Sequence, residues 1–296
     1  MQILILLCFS RSMLVRTGLL FLALAGFAAC GNINSSARAQ DVGAYLTMES
    51  PHADNTSPFA QPVLSLPQQS SRRFTPEMPA RIMVIGDSLS QGFADAMIQR
   101  STERGMPVVV QNRGRVSTGL ARSDFHDWPA DFATLAASEQ PDIVVAHFGA
   151  NDMQGVMRRE NRASYDSDDW PKAYRTEIRR ILSTAAQQRI VVVWLGPAPD
   201  GNTGLGRHMT VINPLFEAEA RDAGAIFLPL GRLTGGTDGG FVRAITLDGR
   251  EVTIRTSDGS HFNMMGYKLV ADHILDALQA RFPDLQPGGD ELAVLQ

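Results

Sequence analysis

From Ala80 onward the chain alternates between two kinds of hydrophobic pattern. Short Val/Ile-rich runs with almost no polar alternation are separated by longer segments whose apolar residues recur every three or four positions. The runs Ile82–Ile85, Val108–Gln111, Ile143–His147, Ile190–Leu195 and Ala225–Leu228 predict strands. Their lack of alternation is what parallel strands covered on both faces show. After the first run, Leu89, Phe93, Ala96 and Met97 fall on one helical face. The clearest helical pattern runs from Trp170 to Gln188, with Asp169 placed as N-cap and Pro171 in the first turn. Its apolar stripe is Tyr174, Ile178, Ile181, Leu182 and Ala185. Another begins near Met209, with Ile212, Leu215, Phe216 and Ala220, and a last one uses Tyr267, Val270, Ile274 and Leu278 and stops before Pro283. Strands alternating with helices predict an α/β fold, a three-layer α/β/α sandwich around a five-stranded parallel sheet, over residues 80–283. One insertion breaks the rhythm: Phe241 to Thr256 carries Asp248-Gly249 between two β-prone runs, which predicts a β-hairpin.

The flanks read differently. Arg11 and Arg16 precede an apolar run from Gly18 to Ala29 that is too short to span a bilayer comfortably and ends in small residues. Residues 1–39 are therefore expected to be an export leader. Ala28-Ala29-Cys30-Gly31 resembles a lipoprotein cleavage site, which would put a lipid anchor on Cys30; Ala37-Arg38-Ala39 resembles an ordinary signal-peptidase site. An uncleaved anchor is the third possibility, and each of the three places the remainder outside the cytoplasm, in the periplasm or beyond. Residues 40–79, rich in Pro, Ser, Gln and Asn, are expected to be a disordered tether, and residues 284–296 a flexible tail.

Composition narrows the function. With 44% hydrophobic residues and a net charge of −4, the 296-residue chain can bury a core and has no basic surplus for a nucleic-acid partner. Both cysteines, Cys8 and Cys30, lie in the leader, so the mature domain is expected to carry neither a disulfide nor thiol chemistry. No His, Asp or Glu group has zinc-like spacing, so no metal and no cofactor are expected.

The candidate chemistry sits at predicted strand ends. Ser88, in Gly86-Asp87-Ser88, follows the first strand and opens a helix, where open α/β sheets expose ligand-binding residues. Asn112-Arg113-Gly114-Arg115 follows the second strand and Gly149-Ala150-Asn151-Asp152 the third; Asp258-Gly259-Ser260-His261 precedes the last helix. All can converge on one edge of the sheet. A serine hydroxyl becomes a good nucleophile when a neutral imidazole takes its proton, so Ser88 needs His261 within hydrogen-bond reach. Asp258, on the same loop, can fix the tautomer of that imidazole.

These four blocks, in this order, resemble those of the SGNH/GDSL hydrolase superfamily, and the resemblance covers roughly Ala80 to Phe282. Ser123 to Pro129, Trp194-Leu195-Gly196 and the hairpin before the His block look like a poorly characterised bacterial periplasmic branch. The resemblance implies a flavodoxin-like sheet, a Ser88–His261–Asp258 triad, and an oxyanion hole made by the Ser88 N–H, the Gly114 N–H and the Asn151 amide. Gly119 is a rival for the glycine. The implied activity is that of an exported serine esterase acting on small O-acyl groups, acetyl foremost, of an envelope or secreted polysaccharide. An O-acyltransferase using the same acyl-enzyme, a non-catalytic glycan-binding protein, and a lipase or thioesterase are the alternatives.

Other polar residues have plainer readings. Asp87 is expected to hydrogen-bond the turn that holds Ser88, Asp152 to support its loop, and His147 to be a satisfied buried histidine. His126 and His208 either touch substrate or, on the plainer reading, lie on the surface or in loops, while Arg113, Arg115 and Arg122 either meet an anionic glycan or pair with neighbouring carboxylates.

Overall fold

The structure, a computed structural model, describes residues 72–287. The expected leader, Cys30 and most of the expected tether lie outside the described residues.

In chain order the elements are β1 (Ala80–Gly86), α1 (Ser88–Glu103), β2 (Val108–Asn112), α2 (Trp128–Glu139), β3 (Ile143–His147), β4 (Val156–Arg158) and β5 (Asn161–Ala163). There follow α3 (Trp170–Gln187), β6 (Val191–Gly196), α4 (Thr203–Asp222), β7 (Ile226–Pro229), α5 (Gly231–Thr234), β8 (Ala244–Leu247), β9 (Arg250–Thr253) and α6 (Met264–Arg281). Strands β2-β1-β3-β6-β7 form one sheet in that order, every pairing parallel. The chain leaves β1 to one side for β2 and returns to the other side for β3, so the switch point lies between the carboxyl ends of β1 and β3.

Because successive strand residues face opposite ways, the three central strands feed two cores. Met83, Ile85, Val144, Ala146, Val192 and Trp194 pack under α2, α3 and α4. Ile82, Val84, Ile143, Val145, Val193 and Leu195 pack under α1 and α6. This is the expected three-layer α/β/α sandwich. The outer strands β2 and β7 are only partly buried, unlike the interior three, because each has a neighbour on one side alone.

Helix starts follow local chemistry. Asp87, Asn202 and Asn263 accept hydrogen bonds from amides in the first turns of α1, α4 and α6. Asp169 stands at the N-cap of α3 but makes no side-chain cap bond, against expectation. Strands β8 and β9 form the expected hairpin, with Asp248 (φ 49°) and Gly249 (φ 74°) both left-handed as a tight primed turn requires. The folded part extends past both expected limits. Upstream of Ala80, Phe74 is buried and meets Phe282 edge-on at 5.8 Å; beyond Pro283, Leu285 is buried in a 3₁₀ turn.

Candidate active site

The serine is presented by a turn that has little freedom. Gly86 has φ +135°, and a Cβ there would stand 1.8 Å from the His147 carbonyl oxygen, so only glycine lets the ends of β1 and β3 approach this closely. The next residue, Asp87, is buried. Its Oδ1 accepts from the Leu89 amide at 3.0 Å and lies 3.3 Å from His147 Nδ1, while Ser90 Oγ donates to its carbonyl at 2.7 Å. Ser88 then opens α1, half-buried, with Oγ 2.8 Å from His261 Nε2.

The imidazole arrives from the far end of the chain. His261 Nδ1 is 2.8 Å from Asp258 Oδ2. The other carboxylate oxygen, Oδ1, accepts from Thr256 Oγ1 at 2.6 Å, the Ser260 amide at 2.9 Å and the His261 amide at 3.0 Å. Partial burial works to raise the Asp258 pKa, but these hydrogen bonds, Thr256 first, outweigh it and hold the carboxyl well below the usual carboxylate range. An ionised Asp258 favours the proton on Nδ1, which turns the Nε2 lone pair toward the Ser88 hydroxyl. Serine, imidazole and carboxylate thus stand in one hydrogen-bonded line, the arrangement that can move a proton off the serine as it attacks a carbonyl.

Gly114 and Asn151, the expected oxyanion donors, lie on the loops after β2 and β3, and the Gly114 amide donates to Asn112 Oδ1 at 3.2 Å. Gly114 packs on the first turn of α1: Gln91 Nε2 donates to its carbonyl at 3.0 Å, and a Cβ would stand 2.4 Å from Ser90 Oγ. Gly119 instead faces the interior, where a Cβ would meet Asp152 Oδ1 at 2.2 Å. Of the two candidate glycines, Gly114 is therefore the one beside the serine's helix. Gly149, φ +127°, fits under Ile212, whose Cδ1 a Cβ would meet at 2.4 Å. Asn151 follows it, and its Nδ2 donates to the Thr118 carbonyl at 3.0 Å, using one of the two N–H groups an amide has.

Asp152 supports this loop as expected. It is buried and accepts from the Ala121 amide and the Tyr174 hydroxyl, each at 2.8 Å. Burial, with the nearby Asp87 charge adding to it, pushes its carboxyl up to about 6 against those hydrogen bonds. His147 is buried, as expected. His208 is not the surface or loop residue expected: it lies within α4, 1% exposed, with Nδ1 2.8 Å from the Tyr165 hydroxyl. His126 is partly buried, 3.2 Å from Asp131. Arg113, Arg115 and Arg122 pair with Glu139, Asp131 and Asp124 respectively, the second of the two readings held for them. Among the described residues no group of three His, Cys, Asp or Glu side chains could hold a metal ion.

Sequence reasoning missed the side chains that hold the His261 loop. Arg255 donates to the Ser260 carbonyl, and Arg243 to those of Thr256 and Ser257. Both lie in or beside the hairpin, where an arginine reads as ordinary surface. A cavity of about 260 Å³ is lined by Asp200, Thr210, Asn213 and Phe241 among others, and none of Ser88, Asp258 or His261 lines it. The Phe241 ring packs against Gly201, whose amide donates to the Gly259 carbonyl at 3.2 Å.

A parallel sheet of this order, with Gly-Asp-Ser at the end of its first strand and Asp-x-x-His before its last helix, is the arrangement in which the sequence resembles the SGNH/GDSL superfamily. The chain belongs to the family described as "Protein of unknown function (DUF459)", which matches residues 81–277. No curated protein matches it. Solved structures similar to it include the psychrotrophic esterase EstA from Pseudoalteromonas sp., at 14% identity and TM-score 0.48, covering 69% of this chain and 98% of that one. Others are a GDSL-like lipase from Bacteroides thetaiotaomicron (17% identity, 68% and 88% coverage, TM-score 0.48) and an aryl esterase from M. smegmatis (15%, 68% and 99%, 0.48).

Proposed function

We propose that this protein is an exported serine esterase that hydrolyses small O-acyl esters, acetyl foremost, on an envelope or secreted polysaccharide. The observation that carries the reading is the pair of 2.8 Å contacts that link Ser88 Oγ to His261 and His261 to Asp258. In the acylation step Ser88 Oγ bonds to the ester carbonyl carbon as its proton passes to His261 Nε2. The tetrahedral oxyanion is received by the Ser88 amide, by the second N–H of the Asn151 side chain, and by the Gly114 amide once it exchanges its 3.2 Å bond to Asn112 Oδ1 for the oxyanion. Collapse breaks the bond to the alcohol, which takes the proton from the imidazolium. Water, deprotonated by the same imidazole, then releases the acid and restores the serine.

The substrate class rests on separate support. It comes from the superfamily resemblance together with the expected delivery of the domain to the cell envelope. The expected leader supports export. The test is to incubate purified protein with acetylated envelope glycans and to follow free acetate by NMR. The wild type should release acetate and Ser88→Ala should not. Release by both, or by neither while the glycan stays acetylated, removes the reading.

A further inference from the structure

Arg255 stands two residues past the end of β9 and is 4% exposed, although its guanidinium carries a charge that water would otherwise solvate. Its two Nη groups reach carbonyls rather than carboxylates, while its buried Nε has no hydrogen-bond partner. Nη1 donates to the Ser260 carbonyl and Nη2 to the Pro199 carbonyl, each at 2.8 Å. The guanidinium carbon stands 3.8 Å from the centre of the Phe262 ring and 5.7 Å from that of Phe241. Arg255 and Phe262 also form an isolated antiparallel bridge. One planar, rigid group therefore touches the residues on both sides of His261 and fastens them to the loop that follows β6.

Filling this space would not require a cation, since a methionine could pack on Phe262 without losing hydration. What only a guanidinium supplies is two divergent donors in a fixed plane, reaching two backbone segments at once. The Ser260 carbonyl belongs to the peptide unit that leads into His261, so a shift there carries the imidazole with it. The loop's other ties include the Asp258 hydrogen bonds, the Thr256 amide and hydroxyl to the His261 carbonyl at 3.0 and 3.1 Å, Arg243 to the Thr256 and Ser257 carbonyls, and the Gly201 amide to Gly259. Most of these lie within the loop and would move with it.

We infer that Arg255 is a positioning residue: by tying the Ser260 carbonyl to the Pro199 carbonyl, it sets the His261 imidazole against Ser88. This rests on the esterase reading for its catalytic consequence, but its geometric content can be read without turnover. A displacement of the imidazole by about 1 Å is enough to cost on the order of 10²-fold in rate.

The experiment compares wild type, Arg255→Ala and Arg255→Lys in two ways. The first is hydrolysis of p-nitrophenyl acetate with and without added methylguanidinium. The second is the NMR signal of the His261 Nδ1 proton, which reports its bond to Asp258 whether or not an ester is cleaved. In both variants kcat should fall about 10²-fold, with KM within about twofold and the imidazole proton broadened by exchange. Methylguanidinium should restore Arg255→Ala at least tenfold, in rate and in the NMR signal alike. Lysine, with one compact ammonium, should not substitute; if Arg255→Ala fails to fold, Arg255→Lys carries the comparison. A variant with normal kcat and a normal imidazole proton overturns the positioning role, as does a loss of rate with an undisturbed imidazole proton. A wild type that cleaves no ester, with an imidazole proton that still responds to Arg255, overturns the esterase reading and upholds the positioning role.

Discussion

The Asp87 carboxylate and the His147 imidazole meet at 3.3 Å inside the fold, one residue before the accessible Ser88. A second imidazole–carboxylate pair, His261 with Asp258, stands on the solvent side of the same serine. Access separates their roles: the inner pair is buried and ties the ends of β1 and β3 together, while the outer pair can exchange protons with a substrate.

Asp87 should therefore matter through the turn. Asp87→Ala removes the acceptor for the Leu89 amide and leaves a buried imidazole without its partner, and should lower stability by about 2–3 kcal/mol. Asp87→Asn keeps one acceptor and should lose less. Urea denaturation of the three proteins checks this; equal midpoints would show that the inner pair contributes nothing.

Asn151→Ala should lower kcat for ester hydrolysis by about 10²–10³ with little change in KM, because an oxyanion donor acts in the transition state. Steady-state kinetics on p-nitrophenyl acetate measures it. A drop of less than tenfold would leave the Ser88 and Gly114 amides as the whole oxyanion site.

His208 gives a pH signature. Burial pushes its imidazole down to about 4, against the Gly149 backbone, from an ordinary value of 6.5. With the folded pKa depressed, the neutral form stabilises the fold fully above pH 6.5, and that contribution is lost as pH falls toward 4. Between pH 7 and 4.5 the wild type should lose on the order of 2–3 kcal/mol more stability than His208→Gln. Denaturation curves for the pair across that range decide it, and parallel losses would remove His208 as the source.

The sheet was legible because buried parallel strands carry an unmixed apolar signal: Ile143–His147 matches β3 residue for residue, and the other four strands lie within two residues of their predicted limits. The Asp248-Gly249 turn was legible for an equally local reason, since few sequences supply two left-handed residues in succession. Burial by pairing left no such trace. Arg158 reads as a surface charge, yet it is buried in the short β4 strand because Glu177 and Asp127 both hold its guanidinium. The three-residue strands β4 and β5 are too short to leave a pattern. Trp128, Phe132, Leu135 and Ala136 of α2 do recur at helical spacing, a signal the strand-and-helix reading passes over. A lone polar residue on a helix, such as His208, does not say which way that face turns. Phe74 and Leu285 sit in flanks whose composition reads as flexible, although each buries its side chain in the core. At the site, the four blocks could be found by motif. Arg255 could not, since its role depends on two carbonyls distant in sequence that only the fold brings together.

The most direct test of the account is intact-mass and peptide-level mass spectrometry after exposure to a fluorophosphonate. The account predicts one covalent adduct, on Ser88, formed rapidly by the wild type, much more slowly by His261→Ala, and not at all by Ser88→Ala. An unmodified wild type, or an adduct carried by another residue, would contradict it.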